Sequence, residues 1–475
     1  MTGQSPGTTE RRAGDDTGRL SWRAAAWNVL SSAGAYRRYV ITFLAGALVG
    51  VLILHIGTNG LPIRNAYDPH NGALIMLSGE DPTDARKKRV EAWNRWVHGW
   101  NKEHENDEDS QKPTVNVVWL PGSPEQQHAE MLRRVQSPST SSSMMADVLV
   151  LDTPWTRQFA SADHIRPIGW EVDESGFLPK PLQTCKVDGT LYALPFNTDV
   201  GLLFSMESTK EPATREEMFA EAPTSVPPVF AGQFGPGETF VVNVIEAVAA
   251  LGGEEIVGED GRLDLRHDDV KKALGSLAEE LTDPDRTLPE SVTSDEASLE
   301  EIFQAKPTRV RYMRDWTTYT RRLAKALGDD GESSEETRQA ARERVQKATW
   351  KLPWNSVLGG QNLAITQKSR SPQAAAEFIQ WMTGEASQTR LFEEGGFAPT
   401  RATVYADPTI TDAYPHAADL RSAIDNAIVR PDVPNYPLLS RVFQDVVRDA
   451  LTNRRELKNG ELTSIDDAQE GELPP

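Results

Sequence analysis

The sequence predicts an α/β fold built around a mostly parallel sheet and preceded by one membrane-spanning helix. From residue 73 onward, apolar runs of strand length alternate with amphipathic stretches of helical length, which is typical of strand–helix units in a layered α/β domain. Before them, residues 39–57 form an apolar run without Asp, Glu, Lys or Arg. The chain of 475 residues is long enough for one large domain or two lobes.

The apolar run 39–57 is predicted to be a retained signal anchor. At about 1.5 Å of rise per residue it spans most of a hydrocarbon core of about 30 Å. Six arginines precede it, whereas only Arg64 follows before Arg86, so the positive-inside rule places the N-terminus in the cytoplasm. Residues 1–38 are then a cytoplasmic tail, and residues 58–72, rich in turn formers, are a linker. This predicts a single-pass cell-membrane protein whose main domain lies outside the cell.

Two other interpretations of this segment differ in how well the residues fit them. Attachment through a lipidated cysteine is excluded, because the only cysteine of the chain is Cys185. Cleavage as an ordinary export signal stays open, since "HIGTNG" offers small residues but no A-x-A site.

The first elements after the linker read as three strands and two helices in alternation. Strands are predicted at "ALIMLSG", "TVNVVWLPG" and "ADVLVLD", with helices at "DPTDARKKRVEAWNRWVHGWNKE" and "EQQHAEMLRRVQS" between them. Trp93, Trp96 and Trp100 have helical spacing and are expected to pack. Because ligands bind beyond the carboxyl ends of strands in such sheets, the end of the third strand, at Asp152, is a candidate site.

The second half continues the alternation. Residues 188–206 hold two apolar runs broken by "PFNTD", which predicts one strand leaving a sheet and another beginning elsewhere. Further elements are predicted as helices at 238–252, 268–283, 297–304, 335–348, 371–384 and 438–454, and as a strand at 358–366. The acidic residues 461–475 are expected to be a flexible tail.

Composition excludes several classes of function. The formal charge of -20 does not fit nucleic-acid binding, which needs a basic surface. A single cysteine excludes an internal disulfide, and neither a zinc-type Cys/His spacing nor a glycine-rich phosphate loop occurs. No cofactor, metal site or catalytic residue is therefore predicted, and no motif designates the carboxylate pair of a glycosidase.

Four segments resemble, in the same order, those of bacterial extracellular solute-binding proteins, closest to the sugar-binding, maltose-binding-protein-like group. They are "DGTLYALPFNTDVGLLF", "SVLGGQNLAITQKSRSPQAAAEFIQWMT", "GGFAPTRATVYADP" and "IVRPDVPNYPLLSRVFQDVV". The resemblance covers about residues 72–455.

The resemblance implies a two-lobe, periplasmic-binding-protein-like fold over residues 73–460, with a hinge. The first lobe is expected at about 73–200 and 352–395, and the second at about 201–351 and 396–460. Such a protein closes over a small ligand, here a mono- or oligosaccharide, and delivers it to the permease subunits of an ABC importer.

Five candidate ligand-binding residues lie in the first half of the matched region. Asp152 and Trp155 follow the third strand, and Trp155 matches a family "D-x-x-W" position; capping and core packing are the alternatives. Asn197 and Asp199 lie at the predicted crossing between lobes, where turn formation would also explain them. Glu238 aligns with a family Glu at a helix start, a position that favours a carboxylate in any case.

Five more candidates follow. Trp316, in "YMRDWTTY", matches a family aromatic residue in an "M-R-x-W" segment and is predicted to stack on sugar. Arg314 beside it is a candidate for bonding hydroxyls, with pairing to neighbours of Asp315 as the alternative. Gly359 and Gly360 would permit close backbone approach to a ligand. Arg401 follows "APT" in a family "P-x-R" position, where a structural salt bridge is the alternative.

Three departures from the family pattern affect the predicted ligand. Arg157 and Gln158 stand where the family usually has a Glu after the first site Trp, Gln361 replaces an aromatic residue, and the segment 207–236 is shortened. These changes question a standard trehalose- or maltose-like ligand. A module adapted to sensing or protein interaction, with altered or lost ligand binding, is therefore the alternative to an importer-linked carbohydrate receptor.

Overall fold

The computed structural model describes residues 72–107, 110–137, 146–207, 210–220, 228–305, 309–414 and 416–472. The predicted tail (1–38), the predicted anchor (39–57) and all but the last residue of the predicted linker lie outside these ranges. Within them, no helix is both long and apolar enough to span a bilayer.

The strands of the described residues mostly follow the apolar runs of the sequence. They are β1 (Leu74–Gly79), β2 (Val115–Leu120), β3 (Val148–Asp152), β4 (Lys186–Val187), β5 (Thr190–Leu191), β6 (Ala193–Asp199), β7 (Gly201–Phe204), β8 (Phe230–Ala231), β9 (Tyr312–Trp316), β10 (Thr349–Lys351) and β11 (Gly359–Ile365).

The α-helices of the described residues surround these strands. They are α1 (Ala85–Glu103), α2 (Pro124–Gln136), α3 (Thr156–Ser161), α4 (Pro179–Gln183), α5 (Arg215–Ala220), α6 (Glu238–Ala250), α7 (Asp268–Thr282), α8 (Glu296–Gln304), α9 (Tyr319–Ala326), α10 (Glu335–Ala348), α11 (Pro372–Met382), α12 (Glu385–Gly395), α13 (Pro408–Ala413), α14 (Ala417–Asn426), α15 (Tyr436–Thr452) and α16 (Asn459–Gln469).

The first lobe is built on a five-stranded sheet of order β2-β1-β3-β11-β6. β1 pairs in parallel with β2 and β3, whereas β11 is antiparallel to both β3 and β6. Four of the five strands thus point the same way. Side chains of this sheet pack with Trp93 of α1 and Phe378 of α11 in one buried core. Trp93 packs as predicted, but Trp96 is 41% exposed because it lies on the solvent side of α1.

The second lobe is built on a four-stranded sheet of order β10-β7-β9-β8. β6 ends at Asp199 in the first sheet and β7 begins at Gly201 in the second, so the strand change predicted at "PFNTD" falls at Val200. The chain returns between β10 and β11. A third connection runs beside it, since the Leu358 amide donates to the carbonyl of Ile428 at 2.8 Å.

Two predicted boundaries are wrong. Residues 398–401 belong to the first lobe rather than the second. The Thr198 amide of β6 donates to the carbonyl oxygen of Ala398 at 3.0 Å, and the Leu178 amide donates to that of Thr400 at 2.8 Å. The predicted flexible tail begins inside α16, where Leu462, Ile465 and Ala468 are buried. Their spacing of three residues gives the acidic segment one apolar stripe, which packs in the second lobe.

Candidate functional site

A cleft lies between the lobes at the ends of strands from both sheets. Its main cavity, of about 540 Å³, is lined by Gly79 and Asp152 at the carboxyl ends of β1 and β3, and by Trp316 at the end of β9. Glu238 and Glu296, the first residues of α6 and α8, close it from the second lobe. This is the position where α/β sheets of this kind bind ligands.

A second cavity, of about 820 Å³, continues the cleft. Seven residues line both cavities and form the boundary between them: Pro124, Asp152, Trp155, Glu238, Thr239, Glu296 and Ala297. The cleft is therefore long enough to hold a ligand of more than one ring.

Seven of the ten predicted site residues line the main cavity. They are Asp152, Trp155, Asp199, Glu238, Trp316, Gly359 and Gly360. The remaining three, Asn197, Arg314 and Arg401, do not line it.

Trp316 is a half-buried aromatic surface of the cleft. Its indole N–H donates to Oε1 of Glu296 at 2.6 Å, and the guanidinium carbon of Arg314 lies 4.0 Å from its ring centre. Segments of both lobes hold the ring, because Glu296 of the second lobe accepts from its indole N–H and the backbone of Gly359 in the first lobe lies against its edge. Trp316 is thus a fixed platform rather than a mobile side chain.

Arg314 is a structural residue, which corrects its predicted ligand-binding role. It is 1% exposed and forms two bonds to Glu246, at 2.7 and 3.0 Å. Glu246 in turn accepts from the Val357 amide at 2.9 Å. The guanidinium therefore lies beneath Trp316 and ties β9 to α6 and to the chain that re-enters the first lobe.

Arg401 is also a structural residue rather than a ligand contact. Its guanidinium carbon lies 3.6 Å from the centre of the Phe177 ring, and Nε donates to the Thr383 carbonyl at 2.9 Å. These contacts pin residues 398–401 to the first lobe, away from the cleft.

Asp199 lies where the chain crosses between lobes. Its Oδ1 accepts from the amides of Val200 at 3.0 Å and Thr317 at 2.9 Å, and from the Thr317 hydroxyl. Burial raises the pKa of Asp199 to about 6, although the Thr317 hydrogen bonds oppose that rise. The carboxylate is anchored through one oxygen and lines the cleft.

The two glycines of β11 leave space that a side chain would fill. A Cβ at Gly359 would lie 3.0 Å from the Trp316 ring and 3.2 Å from Cβ of Asp199. Gly360 has a φ of +117°, and a Cβ there would lie 2.4 Å from the Asn197 carbonyl oxygen. Both positions therefore require glycine for close packing at the cleft.

Arg430, which was not predicted as a site residue, joins both lobes. It bonds Asp152 of the first lobe at 2.6 and 2.9 Å and Glu238 of the second at 3.0 Å. Glu238 also accepts from the hydroxyls of Tyr436 and, at 2.7 Å, Ser440. We call Asp152, Arg430 and Glu238 the interlobe clasp.

Burial sets the electrostatics of the clasp. It raises the pKa of Glu238, and the charge of Arg430 opposes that rise. The signal for Arg430 was present in the sequence, since it stands in the segment "IVRPDVPNYP".

Arg86, also not predicted, is a buried cation in the wall of the first lobe. Its Nη2 donates to Gln361 Oε1 at 2.5 Å, and the guanidinium carbon lies 4.6 Å from the Phe397 ring centre. Asn197 is buried behind it, with Oδ1 3.5 Å from Nη2. Gln361, the residue that departs from the family pattern, thus serves as an acceptor for Arg86.

Trp155 is buried between the two cavities. Its ring meets the His128 ring edge-on, with centres 5.1 Å apart, and His128 bonds Gln158 at 2.6 Å.

On the second-lobe side, Arg322 neutralises Glu300 at 2.5 Å. Among the described residues, no group of three or more His, Cys, Asp or Glu is arranged to hold a metal ion.

Two lobes, three connecting segments and a cleft lined by aromatic and polar side chains are the architecture of a two-lobe binding protein. The chain belongs to the family of bacterial extracellular solute-binding proteins, whose model matches residues 101–418. The family resemblance noted in the sequence is therefore confirmed.

Individual proteins are also similar to a large share of the chain. A probable ABC transporter-binding protein of Deinococcus radiodurans is 24% identical over 366 residues, which cover 72% of this chain and 84% of the relative. Maltose-bound T. maritima MalE3 superposes with a TM-score of 0.64 at 22% identity, covering 84% of this chain and 98% of its own. The GacH receptor of Streptomyces glaucescens, solved unliganded and with acarbose, gives 0.63 at 17% identity, covering 85% and 99%. These likenesses confirm the two-lobe α/β fold.

Proposed function

We propose that this protein is a membrane-tethered extracellular receptor that binds a carbohydrate between its lobes and delivers it to an ABC importer by hinge closure. The observation that carries the proposal is the Trp316 platform in the interlobe cleft, with the carboxylates of Asp199 and Glu296 beside it. A flat ring covers the apolar C–H face of a pyranose, and carboxylates accept its hydroxyls. The proposal gives the carboxylates a binding role and assigns no catalytic residue.

The similar proteins support a carbohydrate ligand. The T. maritima structure holds maltose, and the GacH receptor was solved with acarbose. The Deinococcus relative is described as a probable ABC transporter-binding protein, which supports delivery to an importer.

Calorimetric titration of the full-length protein in detergent with maltose, trehalose, cellobiose and their longer homologues tests the binding proposal. We expect saturable binding of at least one sugar, and Trp316→Ala should weaken it by about tenfold, or about 1.4 kcal/mol, through loss of the stacking surface. Trp96→Ala is the matched control, because Trp96 is exposed on α1 outside the cleft. No binding of any sugar would contradict the proposal.

The tether is supported by the sequence alone, through the apolar run 39–57 and the arginines before it. We expect the intact N-terminus in the membrane fraction. A mature chain that begins near residue 60 and is released into the medium would contradict tethering while leaving the binding proposal intact.

A sensing or protein-interaction module is the second candidate. It is favoured by Gln361, which stands where the family usually has an aromatic residue and which accepts a hydrogen bond from Arg86. If cells that lack the gene take up the bound sugar normally, this second candidate replaces importer delivery.

A further inference from the structure

The main cavity carries an excess of negative charge. Seven carboxylates and three guanidinium groups line it, an excess of four carboxylates. Two of the three cations are already neutralised, Arg430 in the interlobe clasp and Arg322 by Glu300. The lining carboxylates that have no ion-pair partner among the described residues are Glu80, Asp81, Asp199 and Glu296.

Two of these four carboxylates, Asp199 and Glu296, lie beside the Trp316 platform, and each is anchored through one oxygen. Asp199 uses Oδ1 for the Thr317 and Val200 donors, and Glu296 uses Oε1 for the indole N–H. Oδ2 of Asp199 and Oε2 of Glu296 have no hydrogen-bond partner within the described ranges. Each carboxylate therefore keeps one oxygen for a ligand that lies against the ring.

Arg86 is a buried cation in the wall of the same cavity. Its side chain lines the cavity, is 6% exposed, and has an Nε–H without a hydrogen-bond partner in the described structure. No carboxylate lies within ion-pair distance of its guanidinium among those residues. A buried donor left in this state is costly unless a bound oxygen accepts from it.

We propose that the ligand is a saccharide with a protonated amine, whose ammonium lies between Asp199 and Glu296 at Trp316 while a hydroxyl of the same molecule accepts from Arg86. This inference rests on the proposed function. An amino sugar combines in one ring the cation, the hydroxyl acceptor and the apolar face that these three positions require.

Charge explains the preference for an ammonium over a hydroxyl. A charge-assisted hydrogen bond in a desolvated cleft is roughly twice as strong as a neutral one. Burial raises the pKa values of Asp199 and Glu296, so both carboxylates are under-compensated without ligand. A uronic acid would instead bring a fifth uncompensated negative charge into the cavity, and like charges disfavour such a complex.

A series of sugars matched in everything but one group tests the proposal. The probes are the glucosamine dimer of chitosan, N,N′-diacetylchitobiose and cellobiose, which differ only at C2, together with trehalose and 2-amino-2-deoxytrehalose. With the full-length protein at pH 7 and low salt, we expect the amine to bind at least tenfold more tightly than its neutral counterpart in at least one of the two series.

Variants identify the groups responsible for that preference. Asp199→Asn and Glu296→Gln should each reduce the preference for the amine severalfold, and together abolish it, because the amide side chains still accept from a hydroxyl but carry no charge to pair with an ammonium. Asp268→Asn and Glu335→Gln remove the same charges from exposed helix positions outside the cleft and serve as controls. Thermal unfolding of each variant verifies that it is folded.

The outcomes separate this inference from the proposed function. If neutral sugars bind as tightly as the amines in both series, or if the preference survives the double substitution, the inference is overturned and the carbohydrate receptor stands. If no sugar of either kind binds, the proposed function fails and the inference fails with it.

Discussion

Asp199 is the last residue of β6, where the chain leaves the first sheet for the second. Its Oδ1 is held by donors from its own turn and from Thr317, which follows the last residue of β9. The same burial that orients the carboxylate raises its pKa to about 6. The residue is therefore better placed for binding than for stability, as is common at ligand sites.

Asp199→Asn should stabilise the folded protein at neutral pH. The pKa is about 3.9 for an unfolded Asp and about 6 in the fold. The contribution of protonated Asp199 to the free energy of unfolding is thus fully present below about pH 4 and is lost as the pH rises through 6. Asn keeps the acceptor for Thr317 without the charge, so we expect a gain of about 1 kcal/mol at pH 7.

Calorimetric unfolding at pH 7 and at pH 4.5 checks this expectation. The gain should shrink toward zero at the lower pH, because Asp199 is then protonated in the folded wild type. Asp268→Asn, at an exposed position, should show no such pH-dependent gain. A variant less stable than wild type at both pH values would refute the argument.

Trp316 and Arg314 show what residue-level pattern can and cannot predict. Alternation along β9 puts both side chains on the same face, and that face does meet the cleft. Only the end residue reaches it, because the Trp316 ring covers the guanidinium. The partner of Arg314 is Glu246, a residue 68 positions away, and no local pattern reveals such a pairing.

At the scale of elements, β11 depends on its first two residues being glycine. We expect Gly360→Ala to destabilise the fold by on the order of 3 kcal/mol, because its φ of +117° is strained for alanine and the Asn197 carbonyl oxygen leaves no room. Gly359→Ala should cost far less stability, since Gly359 has no left-handed φ and a displacement of the Trp316 ring by a few tenths of an ångström would relieve its nearest contact, at 3.0 Å. That shift should nevertheless weaken sugar binding.

Paired measurements of unfolding temperature and sugar affinity distinguish the two glycines. Gly275→Ala is the control, because α7 offers open space at that position. Equal losses of stability in the two β11 variants would contradict the assigned contacts.

Long elements with clear periodicity were predictable, and short ones were not. The helices predicted at 268–283 and 335–348 appear as Asp268–Thr282 and Glu335–Ala348. Each has an apolar stripe and acidic residues in its first turn, and the Ser334 side chain also caps the second helix. α13 and α14 were missed, since helices of six and ten residues depend on tertiary packing. α16 was misread because its acidic composition masks three apolar positions.

At the scale of the whole molecule, the interlobe clasp should hold the lobes together before any ligand binds. Arg430→Gln leaves Asp152 and Glu238 facing each other without their cation. We expect a loss of about 3–5 kcal/mol, typical of breaking a buried ion pair from one side, and a larger separation between lobes. The triple variant Asp152→Asn, Arg430→Gln, Glu238→Gln should regain most of the lost stability and most of the original closeness of the lobes.

Distances between spin labels, one on each lobe of the unliganded protein, measure that separation. Labelling at introduced cysteines is specific because Cys185 is buried and burial raises the pKa of its thiol. Arg421→Gln, which breaks an exposed ion pair on α14, is the control. An unchanged distance in Arg430→Gln would show that the clasp does not control closure.

The chain returns to the first lobe only at β11, and this fixes an order of assembly. β11 lies between β3 and β6 in the first sheet, yet it follows them in sequence by the entire sheet of the second lobe. During synthesis, β3 and β6 must therefore wait as unpaired edges while residues 201–351 emerge and fold. Such late, non-local pairing slows folding and exposes strand edges to other chains. The five-stranded sheet is thus completed only after all strands of the four-stranded sheet have been made, and its nascent form is where we expect dependence on chaperones to be greatest.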